Sequence, residues 1–215
     1  MFVSIFNNTI RSQKIPYFFL IFLVGVSTTV SLYFFLPESL RLDESQSMIQ
    51  ANRPYFGMLE SVARDVHMPL YGTLLHGWLA LFGNSITTNR ILSLSFYLAS
   101  ICMVFVFTWE FTHKQKIAIY VSTMFTLSPF LNWFGSELRM YSMFIFLTLC
   151  LHYLFFKIFC RNLGTWYHWL LYLICLILGV FTHYLFLLFI FCQVFFLAFN
   201  YQLLSGKKSG YFWEV

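Results

Sequence analysis

"IAIYVSTMFTLSPFLNWFGSELRMYSMFIFLTLCLHYLFFKIFC", residues 117–160, decides the architecture of this chain. As one helix, about 44 residues would extend roughly 66 Å, twice the hydrocarbon thickness of a bilayer. The stretch must therefore break. Pro129 and Gly135, in "SPFLNWFGSE", supply the break, because proline cannot donate a backbone hydrogen bond and glycine is the commonest turn residue. Two apolar spans result, near 117–134 and 139–159, with Glu137, Arg139 and Tyr141 at the mouth of the second.

The whole chain has this character. Its 215 residues are 60% hydrophobic and 10% charged, with 29 Phe, and the mean hydropathy is +0.73. One soluble core of this length cannot hide so much apolar side chain, whereas lipid solvates it directly. The expected fold class is all-α, a polytopic transmembrane bundle of about six spans. The other four spans fall near 16–36, 87–109, 166–182 and 185–204. The first follows Arg11 and Lys14 and lacks a small-residue cleavage site, so it reads as a retained signal anchor. The stretch 166–204 again exceeds one span; its best break is "GVFTHY", Gly179 to Tyr184, which makes a helical hairpin.

Charge sets the orientation. With a cytoplasmic N-terminus, Arg11, Lys14, Lys114, Lys116, Lys157, Arg161, Lys207 and Lys208 all fall on the inner side, as the positive-inside rule requires. The formal net charge of +5 thus reads as topology and not as affinity for nucleic acid. The chain is expected to form a single module across 1–215. It comprises an N-terminus and anchor helix (1–36), an extracytoplasmic loop with an interfacial helix (37–86), five further spans (87–204) and a cytoplasmic tail (205–215). In a bacterium this is an inner-membrane protein. "HMPLYGTLLHGWLALFG", residues 67–83, is too short and too interrupted by Gly72, His76 and Gly77 to cross; it suits an interfacial or re-entrant helix. The five cysteines lie in apolar runs without CxxC spacing and read as small hydrophobes.

On this topology four polar clusters share the outer face: "LDES" with Asp43 and Glu44, "DVHMPLY" with Asp65 and His67, "SELRMY", and "THY" with His183 and Tyr184. Each has an ordinary explanation. Adjacent loop acids can be merely solvated, His67 can simply precede a proline-started helix, and an Arg with a Tyr can be an interfacial anchor. Glu137 and Tyr141, at i,i+4, would face each other on one helix. Their convergence on one face points to a site, since ionisable groups at membrane depth are costly. His152, mid-span, is expected to bond a neighbouring helix.

The order and spacing of these motifs resemble the GT-C membrane glycosyltransferases, in particular the branch similar to protein O-mannosyltransferases and the lipid A aminoarabinose transferase. The resemblance rests on Asp43-Glu44 just after the first span, "HMPLYGTLLHGWLALFG" followed by "NRILS", "SELRMYSM" and "FTHYLFLL", over roughly residues 40–190. Two features depart from it. Met68 separates His67 from Pro69, and members of the family are usually much longer, so the chain looks like the N-terminal portion of such an enzyme.

The resemblance implies inverting transfer of a sugar from a polyprenyl-phosphate or dolichyl-phosphate donor to an acceptor on the extracytoplasmic face. The acceptor class stays open between protein, lipid A, another glycolipid and a cell-wall polymer. Asp43, beside Glu44, is the expected general base, and Arg139 the expected phosphate ligand, because a guanidinium holds two phosphate oxygens at once. His67, His183 and Tyr184 would add donors or position the sugar. Glu137 would orient Arg139 or a sugar hydroxyl. Some relatives use a divalent metal, for which Asp43, Glu44 and His67 are the candidate ligands. Two other classes stay open: an inert membrane interaction or assembly module, and a transporter component, though the charges lie near span ends rather than mid-span.

Overall fold

The 27 residues of Ile86–Thr112 contain neither proline nor glycine and form one unbroken helix, around which the rest is arranged. It ends where His113 turns left-handed, at φ 56°. The computed structural model describes residues 16–35, 37–65 and 67–200. The basic residues Arg11, Lys14, Lys207 and Lys208 of the orientation argument, and the proposed tail, lie outside these.

The described residues are helical, with no strand among them. In chain order the elements are α1 (Tyr17–Val30, continued by a π-helical turn Ser31–Phe35), α2 (Leu42–Ala51), α3 (Tyr55–Arg64), α4 (Pro69–Phe82) and α5 (Ile86–Thr112). They continue with α6 (Gln115–Leu127), α7 (Pro129–Ser136), α8 (Tyr141–Phe155, extended by a π-helical turn Phe156–Cys160), α9 (Trp166–Thr182) and α10 (Phe186–Phe199). Among the described residues three segments are long and apolar enough to cross a membrane: Tyr17–Phe35, Ile86–Thr112 and Tyr141–Cys160. A fourth is added if α6 and α7, bent by 63°, count as one broken span. The apolar helices α9 and α10 have 17 and 14 residues, short of the usual ~20.

The break in residues 117–160 falls where proline dictates. Pro129 opens α7, and the Ser128 hydroxyl accepts the Leu131 N–H at 3.4 Å to cap it. Gly135 is required for another reason: a Cβ there would lie 2.4 Å from Cγ of Tyr97. A second interruption, residues 137–140, separates α7 from α8. Tyr141 begins α8 while Glu137 caps the end of α7, so the two do not share a helix and the i,i+4 pairing expected of them is absent.

In the 166–204 stretch the break falls at the end of the expected segment Gly179 to Tyr184. Gly179 stays helical within α9, and a Cβ on it would lie 2.1 Å from the Phe186 ring. The turn is at His183–Leu185, and the hairpin closes through Tyr172 Oη donating to Gln193 at 2.6 Å. His152 also differs from expectation. Its Nδ1 meets the carbonyl of Thr148 at 2.8 Å, one turn back on its own helix, and among the described residues it makes no hydrogen bond to a neighbouring helix.

Residues 37–65 and 67–85 form a small helical layer across one end of the bundle. Pro69 begins α4 while Met68 stays extended, as a residue before proline must. The 14 residues of α4 reach about 21 Å. Tyr71 and Leu75 of α4 join Leu92 of α5, Leu147 of α8 and Phe186 of α10 in the main core, into which Leu138 of the 137–140 turn also plugs.

Candidate functional site

The layer is fixed by a cation that sequence reading passed over. Arg90, in the first turn of the longest helix, is 2% exposed. Its Nε and Nη2 donate to the two carboxylate oxygens of Glu44 at 2.9 and 2.5 Å, and its other contacts include the carbonyls of Phe35 and Glu38 at 2.9 and 2.8 Å. One guanidinium thus joins the end of α1, the start of α2 and the start of α5. The signal was present: an arginine just inside an apolar helix needs a partner.

Glu44 is accordingly turned inward. Beyond Arg90 it accepts the Leu138 N–H at 2.8 Å and the Arg41 N–H at 3.1 Å. Burial opposes its charge, but the Arg90 hydrogen bonds and these two backbone donors outweigh it and hold the carboxyl below its ordinary value of 4.5. Asp43, its neighbour, points the other way. It is exposed, and no hydrogen bond or ion pair among the described residues engages its carboxylate. Of the adjacent acids, one is structural and one is available.

The turn 137–140 presents the remaining groups. Leu138 is buried in the core and its N–H is held by Glu44, while the Arg139 carbonyl accepts from Ser93 Oγ at 3.3 Å. Ser93 in turn meets Tyr71 Oη at 2.7 Å. This backbone anchoring fixes where Arg139 emerges. Its side chain is 9% exposed, yet no carboxylate pairs with it among the described residues. Nη1 reaches the Asp43 carbonyl at 3.4 Å, Nη2 reaches His67 Nε2 at 3.3 Å, and Nε has no partner among the described residues. Tyr141 lies beside it, with its ring 5.9 Å from the guanidinium carbon.

A guanidinium can only donate, so His67 accepts at Nε2 and carries its proton on Nδ1, which donates to the Asp65 carbonyl at 2.8 Å. His183 completes the group. Burial first, then the nearby His67 and Arg139, push its imidazole below 6.5, and its Nδ1 accepts the Leu185 N–H at 3.1 Å. Tyr184 is 55% exposed, with its ring against that of His183 at 4.6 Å.

Glu137 does not face Arg139 as expected. Its Oε1 lies 3.6 Å from Arg41, which also stacks on Trp133 at 3.5 Å, and its Oε2 is buried without a partner among the described residues. Burial raises the Glu137 carboxyl above 4.5, with Glu44 and Asp43 adding to that and Arg41 and Arg139 opposing it.

The residues Asp43, Glu44 and His67 do not fit a divalent metal. Both Glu44 oxygens are taken by Arg90 and backbone N–H groups, and both ring nitrogens of His67 are engaged. Among the described residues no group of three His, Cys, Asp or Glu side chains gathers as a metal site would. The arrangement instead offers a buried cation without an ion pair among the described residues, beside an exposed carboxylate and two imidazoles. Compared with protein-family models, curated proteins and solved structures, the chain finds no match.

Proposed function

We propose that this chain is a GT-C-like membrane module with six spans and a cytoplasmic N-terminus, which transfers a sugar from a polyprenyl-phosphate donor to an acceptor on the extracytoplasmic side. The observation that carries this reading is Arg139: a guanidinium nine-tenths buried, with an open Nε and only neutral groups as partners. Burying a cation unpaired is costly, and the cost is offset when an anion arrives. A phosphate fits, because the planar fork meets two of its oxygens.

A polyprenyl tail stays in lipid, so its phosphate and sugar lie near the ends of the spans, where this cluster is expected to sit. In the transfer, the acceptor oxygen attacks the anomeric carbon from the face opposite the phosphate. The carbon–oxygen bond to phosphate breaks and its electron pair leaves with the phosphate, toward Arg139. The acceptor proton passes to Asp43, whose carboxylate also faces the positive charge developing on the sugar ring. No strong acid is needed, since phosphate is already a good leaving group. His67 positions Arg139, and His183, with Tyr184, lines the approach.

The test is sugar transfer from a polyprenyl-phosphate donor by the chain in membranes, comparing wild type with Asp43→Asn. Loss of turnover with donor binding retained is expected. Wild-type turnover in the variant would remove Asp43 as the base.

A further inference from the structure

Beside the Arg139 cluster, between α2 and α3, lies a cleft of about 510 Å³, within the size range of small-molecule sites. Its lining combines Leu42 and Ile49 with Gln46, Gln50, Arg53 and Asp65. We infer that this cleft binds the saccharide of an acceptor, so that the hydroxyl to be glycosylated reaches Asp43.

The polar atoms are arranged for hydroxyl groups. Both glutamine side chains donate through Nε2 to the same oxygen of Asp65, Gln50 at 2.7 Å. Among the described residues that leaves Asp65 Oδ1, from the α3 side, and the two amide carbonyls, from α2, as open acceptors in the cleft. Arg53, exposed and without an ion pair among the described residues, supplies donors at the same cleft. Leu42 and Ile49 are 85% and 62% exposed, and they offer an apolar strip for the C–H face of a sugar ring. A wholly apolar ligand would leave this array desolvated and unpaired, whereas a polyhydroxylated ring satisfies it.

Position ties the cleft to the chemistry. Asp43, Gln46 and Gln50, at i, i+3 and i+7, share one face of α2, so the open carboxylate lies one turn beyond the glutamine pair. At the other wall the Asp65 carbonyl holds His67, and His67 holds Arg139. An acceptor bound here would have its leading hydroxyl near the base and its body away from the phosphate. The role as acceptor site rests on the transferase reading; saccharide binding itself does not.

The experiment uses the full chain in lipid nanodiscs, with maltose and chitobiose as probes and saturation-transfer NMR as the readout. Wild type should bind one of the two. Gln46→Ala/Gln50→Ala should bind about tenfold more weakly, and so should Ile49→Glu, an exposed site whose replacement leaves the core intact. No binding by wild type, or unchanged binding in both variants, overturns the cleft. A glucosyl diacylglycerol in the nanodisc that displaces the probe more effectively than free sugar marks a glycolipid source, and equal displacement marks a free saccharide. Undecaprenyl-phosphate binding is measured on the same samples and should survive both variants. Saccharide binding without polyprenyl-phosphate binding in wild type would sink the transferase reading and leave the cleft; the converse would sink the cleft alone.

Discussion

Glu44 and Arg90, 46 residues apart, meet through two hydrogen bonds of 2.9 and 2.5 Å at 1% and 2% exposure. The pair holds the helical layer onto the bundle. Removing one partner strands a buried charge, so Glu44→Gln or Arg90→Met should each cost about 3–5 kcal/mol. Replacing both should cost less than the sum of the two. Thermal unfolding of the three variants in one detergent gives the cycle; strictly additive losses would mean that the pair is not coupled.

Two carboxyls of the cluster make stability respond to pH in opposite directions. Glu44 is held below 4.5, so its contribution is present above that value and is lost as pH falls through the lower, folded one. Glu137 is raised above 4.5, so its buried charge costs stability at high pH. That stability is regained as pH falls through the raised value toward 4.5. Glu137→Gln should therefore melt higher than wild type at pH 8, with the gap closing near pH 4.5. A gap that does not change with pH would place its origin in packing.

Arg139 should behave unlike Arg90. No carboxylate is stranded when it goes, so Arg139→Met should shift stability by no more than about 1 kcal/mol. Binding of undecaprenyl phosphate in nanodiscs should weaken about tenfold or more, since a charge-assisted hydrogen bond is worth roughly 1.5–3 kcal/mol. Arg139→Lys, which keeps the charge without the fork, should fall between. A large melting loss without a binding loss would make Arg139 structural.

The helical class, the break at Pro129 and the gathering of Asp43, His67, Arg139 and His183 were legible in the sequence, because hydropathy, proline chemistry and polar clusters at span ends are local signals. What was not legible depended on side-chain partners. Asp43 and Glu44 look alike in the sequence and differ only because Arg90 claims one of them. Glu137 looked like a partner for Arg139 until the 137–140 turn placed it against Arg41. Six spans were expected from apolar runs; among the described residues three or four segments meet the length, and α9 and α10, at 17 and 14 residues, are shorter.

That hairpin carries the last prediction. Gly179 is needed for a close approach: its backbone conformation is ordinary helix, and an added Cβ would fall 2.1 Å from Cζ of Phe186. Phe186 is fully buried against Phe144, which also packs on His183 at 5.3 Å between ring centroids. Gly179→Ala should therefore cost about 1–3 kcal/mol by overpacking, although alanine is the better helix former. Because the displaced ring is linked to His183 through Phe144, the variant should also weaken polyprenyl-phosphate binding. Adding Phe186→Leu, which opens room for the methyl, should restore part of both losses. Stabilisation by Gly179→Ala alone, as helix propensity would give, would show that α9 and Phe186 are not in contact.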